Sequence, residues 1–476
     1  MGTTKLSPVP LFGIGTFGKS ATVDAQKRVN LYAEISTDPE KGSMITLYGT
    51  PGTSMFSNLG VAPARGMWEK GDYVYSVNGA NLYRIANDGT FTLLGTLATA
   101  SGRVDMCDNG LQLIVVDGTP GAPGGGYIYT FLTGVFATIT TANFPGGDTV
   151  TFLNGYFIVS KPASGQFNIS ALYDGTTWAA LDFATAESDP DDLVRVLVDT
   201  GTIMLFGNKT TEFWGDSGAQ DFPFARIGSS AIQWGIAARW SLARFMDSLI
   251  FLRKNRLGRT QVALLNGFKA QAISTPEMEY LFQQYPAVSD ATGFSYMESG
   301  HAFYQINFPS ANVSWLYDGL SQSWSIVQTN GGRHIAEIQI NYLDRSLVSD
   351  YASGKLYTFN ALARTDNGLP ITRKFIGRHT ISNGNWMALD ELWIEMQPGV
   401  GTSVGQGVDP VLMLRVSKDG GITYGNEIQT PIGKIGEYRR RAVFRRLGRS
   451  RDWVFEFTVT DPVYTVFVSA WGRYGT

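Results

Sequence analysis

The chain has 476 residues, enough for about three domains at roughly 150 residues each, and its 43% hydrophobic content excludes wholesale disorder. Its formal net charge of -3 excludes a polycation held to nucleic acid by overall charge. The 55 glycines and 13% aromatic residues suit many short strands joined by tight turns, and they suit helical bundles poorly.

In chain order, residues 1–63 come first. They are punctuated by Pro and Gly, include Arg28-Val-Asn-Leu-Tyr32, and are predicted to form an extended N-terminal arm with a strand that closes a ring of repeats. The opening residues carry no charged stretch followed by an apolar one, so no signal peptide is expected. Gly13-Ile-Gly-Thr-Phe-Gly-Lys-Ser20 fits the spacing of a phosphate-binding loop, in which backbone amides cradle phosphate. Its context does not fit: Pro8 and Pro10 spoil the strand that should precede it, and no βαβ pattern comes after it.

From 64 to 360 the chain repeats. An aromatic or apolar anchor recurs at Tyr83, Tyr129, Tyr173, Trp214, Leu265, Tyr317 and Tyr357, with a mean spacing near 46 residues. Each anchor follows a short apolar run such as Tyr73–Val77, Leu113–Val116, Tyr156–Val159 or Leu249–Leu252, and Asn109-Gly110, Asn154-Gly155 and Ser299-Gly300 supply turn signals. After several anchors come a Gly turn and a second aromatic, most clearly in Leu172-Tyr-Asp-Gly-Thr-Thr-Trp178 and Leu316-Tyr-Asp-Gly-Leu-Ser-Gln-Ser-Trp324. A period of roughly 40–50 residues with about four strands per unit predicts a β-propeller of about seven blades, the alternative being a large β-sandwich or solenoid with evenly spaced hairpins. A single helix is expected from Thr275, a suitable N-cap with Pro276 after it at the first helical position.

Residues 361–371 read as a linker, and 372–476 as a C-terminal β-sandwich-like domain, since 392–396, 411–416, 454–459 and 464–470 alternate or run apolar. Within it Ser417, Asp419, Gly421, Thr423 and Tyr424 resemble the Asp-box, a hairpin staple in which a short carboxylate satisfies turn amides. That box is structural, not catalytic. The run Lys434, Arg439, Arg440, Arg441, Arg445, Arg446, Arg449 and Arg451 faces Glu437 alone, a net of +7. Residues 372–476 are net +4 and the remainder -7. Arginine's planar fork suits carboxylates and phosphates, so this run is a candidate subunit interface, a DNA-facing surface, or a solvated strand face.

Chemistry is otherwise sparse. The single cysteine, Cys107, permits no intramolecular disulfide and no Cys-based zinc site, and His301, His334 and His379 show no metal-ligand spacing. No apolar run is long enough to span a membrane. No carboxylate pair and no G-x-S-x-G stands out. No catalytic residue, cofactor or metal is therefore expected, and a carbohydrate-binding or glycoside-cleaving propeller acting as a receptor-binding protein is the alternative.

Several ordered motifs carry a resemblance: Asp24-Ala-Gln-Lys-Arg-Val-Asn-Leu-Tyr32, Leu47-Tyr-Gly-Thr-Pro-Gly-Thr53, Arg65-Gly-Met-Trp68, Phe152-Leu-Asn-Gly-Tyr-Phe157, Gly300-His-Ala-Phe-Tyr304, Trp315-Leu-Tyr-Asp318 and Leu414-Arg-Val-Ser-Lys-Asp-Gly-Gly421. Together they resemble the packaged-DNA stabilisation proteins of short-tailed bacteriophages, also called tail hub or nozzle proteins. The resemblance implies a structural protein of the virion tail, assembled in the host cytoplasm as a ring of typically six copies below the portal and its adaptor. It implies a role in extending the DNA exit channel, retaining packaged DNA, and supporting a tail needle, tailspikes or fibres. It implies transient contact with genomic DNA, no membrane insertion and no catalytic residues.

Overall fold

Short apolar runs separated by residues that tolerate positive φ fold back on themselves. Asn154 and Gly155 (φ 50° and 91°), Ser299 and Gly300 (51° and 82°), and Asn330 and Gly331 (52° and 81°) occupy consecutive left-handed positions. Such paired positions give turns whose twist matches that of the flanking strands. The computed structural model describes residues 6–15, 18–35, 45–121, 125–186, 189, 191–228 and 231–475.

Seven antiparallel sheets succeed one another around a ring. Six span residues 64–96, 105–138, 150–185, 193–226, 235–272 and 292–329 and are numbered blades 1 to 6. Blade 7 is built from Ala336–Tyr342, Arg345–Asp350 and Lys355–Asn360, and its outermost strand, Gly52–Asn58, comes from the other end of the propeller sequence. Ring closure therefore rests on main-chain bonds between residues some 300 positions apart. Every anchor except Tyr173 lies on the third strand of its blade. Tyr173 falls in the turn after Gln166–Ala171, at φ 56°, because blade 3 turns at Leu172-Tyr173, ahead of Asp174-Gly175. Neighbouring blades pack through apolar faces, as where Val77, Leu82, Leu113, Val115 and Tyr127 join blades 1 and 2. The helix spans Pro276–Phe282, with Thr275 accepting from the Met278 amide, and buries Met278 and Phe282 against blades 5 and 6.

The N-terminal arm is extended along both bodies of the molecule. Its strands are β1 (Leu6–Pro8), β2 (Lys27–Val29), β3 (Leu31–Ile35), β4 (Ile45–Gly49) and β5 (Gly52–Asn58), the last being the closing strand. One sandwich sheet runs β3, β4, Val466–Gly475, Met387–Met396, Ala442–Ser450, with β1 also against Val466–Gly475. The facing layer is Arg373–Ile376, Asp452–Val459, Val411–Ser417 and Ile428–Pro431. Between them lie Phe375, Leu392, Ile394, Leu412, Leu414, Trp453, Phe455, Phe457 and Phe467, joined by Leu11 and Phe12 of the arm. Each such side chain contributes about 1.5–3 kcal/mol on burial.

β2 joins the two bodies. It pairs in parallel with Ser323–Thr329 of blade 6 and antiparallel with Arg373–Ile376 of the sandwich, so one sheet of 11 strands runs from propeller to sandwich. The buried Arg28 guanidinium donates to the carbonyls of Gly13 (2.6 Å), Ile14 (3.2 Å) and Trp324 (2.7 Å). The Gly13 stretch thus turns its carbonyls to a cation instead of offering amides to phosphate. No helix begins directly after it among the described residues, and its Thr16 and Phe17 lie outside them.

Candidate functional site

The basic run lies along one edge of the sandwich. Ala442–Ser450 is the terminal strand of its sheet, bonded among the described residues only to Met387–Met396. Ala442, Phe444, Leu447 and Ser450 point inward, while Arg445 and Arg446 are both exposed. A register shift opposite Leu389–Glu391 and a φ of 60° at Arg446 place two successive side chains outside. That is the work of a β-bulge, which also spoils an edge for indiscriminate strand pairing.

The eight basic side chains are all exposed, yet they do not form one cluster. Arg445 pairs with Glu391 at 3.0 Å, Arg441 lies 3.9 Å from Glu395, and Lys434 lies 3.2 Å from Asp409. Arg449 and Arg451 both stand over the Trp386 ring, 5.0 and 5.1 Å from its centroid. Arg439, Arg440 and Arg446 make no ion pair among the described residues. Exposed pairs of this kind contribute about 0–1 kcal/mol to stability, so folding does not explain the density of charge.

The turn after Val411–Ser417 is held by its own side chains. The Ser417 hydroxyl donates to Asp419 (2.7 Å) and accepts from the Gly421 amide (2.8 Å), while Asp419 accepts from the Thr423 amide (2.9 Å) and the Thr423 hydroxyl. Donation from Thr423, hydroxyl first and amide second, holds the Asp419 carboxyl down at about 2. Tyr424 is half-buried with the Arg415 guanidinium 5.5 Å from its ring centre. A carboxyl depressed on folding adds stability at pH above about 3.8, and that contribution is lost as pH falls toward about 2. Asp419→Asn is expected to flatten the acid dependence of the sandwich in this window, read as melting temperature between pH 5 and pH 2. An unchanged acid limb would contradict the assignment.

The innermost strands of the blades enclose a channel that no feature of the sequence announces. It holds a cavity of about 360 Å³ whose lining includes Arg103, Asp105, Arg195, Trp240 and Glu337. The guanidinium groups of Arg103 and Arg195 lie 5.1 and 5.2 Å from the Trp240 ring centre, and Arg103 lies 3.9 Å from Glu337. Burial lowers the pKa of both arginines and raises that of the Asp105 carboxyl, which accepts from the Val150 amide at 2.9 Å. Apart from the neighbours Arg103 and Asp105, these residues come from separate blades, so no local motif marks the group. Among the described residues no group of three or more His, Cys, Asp or Glu could hold a metal ion, and no helix is long and apolar enough to cross a membrane. Cys107 is buried, which raises its thiol pKa.

Two family profiles match this architecture in order. That of the bacteriophage P22 Gp10 beta-propeller covers residues 8–362, and that of the bacteriophage P22 Gp10 beta-sandwich covers residues 372–471. The chain belongs to the P22 Gp10 family. A curated relative, the tail hub protein gp10 of Salmonella phage P22, is 24% identical over 319 residues. That alignment covers 63% of this chain and 64% of the relative, so just under two thirds of the relative's length is matched. Solved structures are more distant. The computationally designed Ika8 protein has a TM-score of 0.37 at 9% identity, covering 70% of this chain and all of that one. The N-terminal domain of Nup159 has 0.40 at 9%, covering 70% and 99%. An extracellular domain of a putative hybrid two-component system from B. thetaiotaomicron has 0.43 at 8%, covering 76% and 45%. At these scores none bears on function.

Proposed function

We propose that the chain is a non-enzymatic structural subunit of a phage virion tail, a hub that assembles into a ring, typically of six copies, below the portal and its adaptor. The ring extends the DNA exit channel, helps retain packaged DNA, and supports a needle, tailspikes or fibres. The observation that carries this reading is the ordered match of both propeller and sandwich to a family whose curated relative is a tail hub protein.

The geometry of the disc supports it. Trp240 and the guanidinium groups of Arg103 and Arg195 come together among the inner strands, where they occupy space that a duplex threading one propeller would need. DNA would therefore run along the axis of a ring of copies, with each propeller as a wall element. A propeller suits that task because its sheets pack blade against blade into a closed ring. The charge of -7 outside 372–476 also suits a wall that DNA slides past, since cation-rich walls hold DNA by counterion release. Electron microscopy tests the reading. Rings in the tails of intact virions, and leaking or empty heads in virions lacking this chain, are expected. Tails of normal appearance and full, stable heads in its absence would refute it.

A further inference from the structure

The basic edge has a counterpart on the same chain. Residues 174–221, covering the outer strand of blade 3 and most of blade 4, hold ten acidic residues against Arg195 and Lys209 alone, a net of -8. Asp174–Thr185 is the outermost strand of blade 3 and runs 12 residues, with its outer edge unpaired among the described residues. Leu181 and Phe183 on it, and Leu172 and Tyr173 in the turn before it, are exposed. A bond of 2.6 Å from the Asn154 amide to Asp216 ties an inner turn of blade 3 to the outer turn of blade 4, where Asp216 and Asp221 are exposed. In a propeller these turns share a face with the turn that carries Tyr173 and Asp174. One rim therefore combines exposed apolar side chains with carboxylates.

The sandwich offers the complement. Its turn at 434–441 exposes Ile435 and Tyr438 beside Arg439 and Arg440, the two arginines of that turn without a carboxylate partner among the described residues. Within one copy the two surfaces belong to different parts of the fold. The sandwich is joined to blade 6 through β2, and blade 3 lies three blades away around a ring of seven.

We infer that the sandwich turn at 434–441 of one copy docks on the outer rim of blades 3 and 4 of a second copy, with Ile435 and Tyr438 against Leu172 and Tyr173, and Arg439 and Arg440 against Asp216 and Asp221. The contact is heterologous, so repetition either closes a ring or grows a filament. It rests on the hub reading and names the surfaces that build the ring. Opposite charge sets register and rate of encounter, and like charges in the same place repel.

Two variants of the full chain test it: Arg439→Glu with Arg440→Glu, and Asp216→Arg with Asp221→Arg. Each places like charge on both sides of every contact between its own copies. Each alone is expected to associate about 100-fold more weakly than the unaltered chain at low salt, measured by analytical ultracentrifugation under the conditions in which the unaltered chain forms rings. Mixed in equal amounts they should reassemble, because in an alternating ring every junction again joins opposite signs. A merely misfolded variant would not be rescued, and circular dichroism provides the folding control. Rings from either variant alone, or no rescue on mixing, would overturn the contact while leaving the hub reading intact. Absence of rings from the unaltered chain and from virion tails alike would instead remove the hub reading, and this contact with it.

Discussion

Asn30→Ala is expected to lower the unfolding free energy by about 4 kcal/mol. Asn30 comes directly after β2, is 1% exposed, and sits at φ 54°. Its side-chain amide donates to the carbonyls of Gln328 (3.0 Å) in blade 6 and Thr372 (2.9 Å) at the start of the sandwich, and its side-chain carbonyl accepts from the Gln328 amide (2.8 Å). One side chain thus stands in for a stretch of backbone between the two bodies. Alanine leaves three partly buried polar groups without these partners, at about 1 kcal/mol each. It also puts a Cβ where the left-handed region costs about 1–2 kcal/mol. Asn30→Gly lifts the second penalty alone, so Gly should exceed Ala in stability by about 1 kcal/mol. Chemical denaturation of all three chains measures both differences. A loss below about 1 kcal/mol for Ala would mean that these bonds add little to the junction.

The propeller is legible in the sequence because its information is local. Each hairpin needs positive φ at its turn, and Asn154-Gly155 or Ser299-Gly300 announces that need in two letters. Where the turn chemistry is less explicit the pattern misleads, as at Tyr173, where Asp174-Gly175 suggests a turn that the chain makes two residues earlier. The helix at Pro276–Phe282 is likewise marked by its own cap. The fold class is visible for these reasons. The division of labour within the arm is not. β2 has only three residues, no alternation, and partners about 300 and 350 positions away, so nothing near it in sequence states what it bonds to. The basic run is visible as charge, but the bulge at Arg445 and Arg446 and its place on a sheet edge depend on Met387–Met396 across the sheet. The channel residues Arg103, Arg195 and Trp240 carry no signal at all, because only ring closure brings blades so far apart in sequence to one axis.

The same junction holds a glycine that the sequence offers no reason to notice. Gly49 ends β4, its amide bonded to the Thr465 carbonyl at 3.0 Å, and a Cβ there would lie 2.2 Å from Nε and 2.9 Å from Cδ of Arg373. Arg373 is 1% exposed, so it cannot swing aside into solvent. Burial lowers its pKa to about 10, and its guanidinium donates to the Thr50 carbonyl at a long 3.4 Å, with Nε and Nη1 unpartnered among the described residues. Gly49→Ala is therefore expected to cost about 3 kcal/mol, the upper range for overpacking a closed interior. The guanidinium itself adds little stability, because so few of its donors are matched, and replacing a poorly matched buried ion by an apolar group is often neutral or favourable. Arg373→Leu should then change stability by less than about 1 kcal/mol. In the double variant Gly49→Ala with Arg373→Leu, the alanine should cost about 2 kcal/mol less than it does alone, a coupling that denaturant unfolding of the four chains reads directly. An alanine equally costly with and without Arg373 would locate the penalty in the strand backbone and not in the side chain that crosses it.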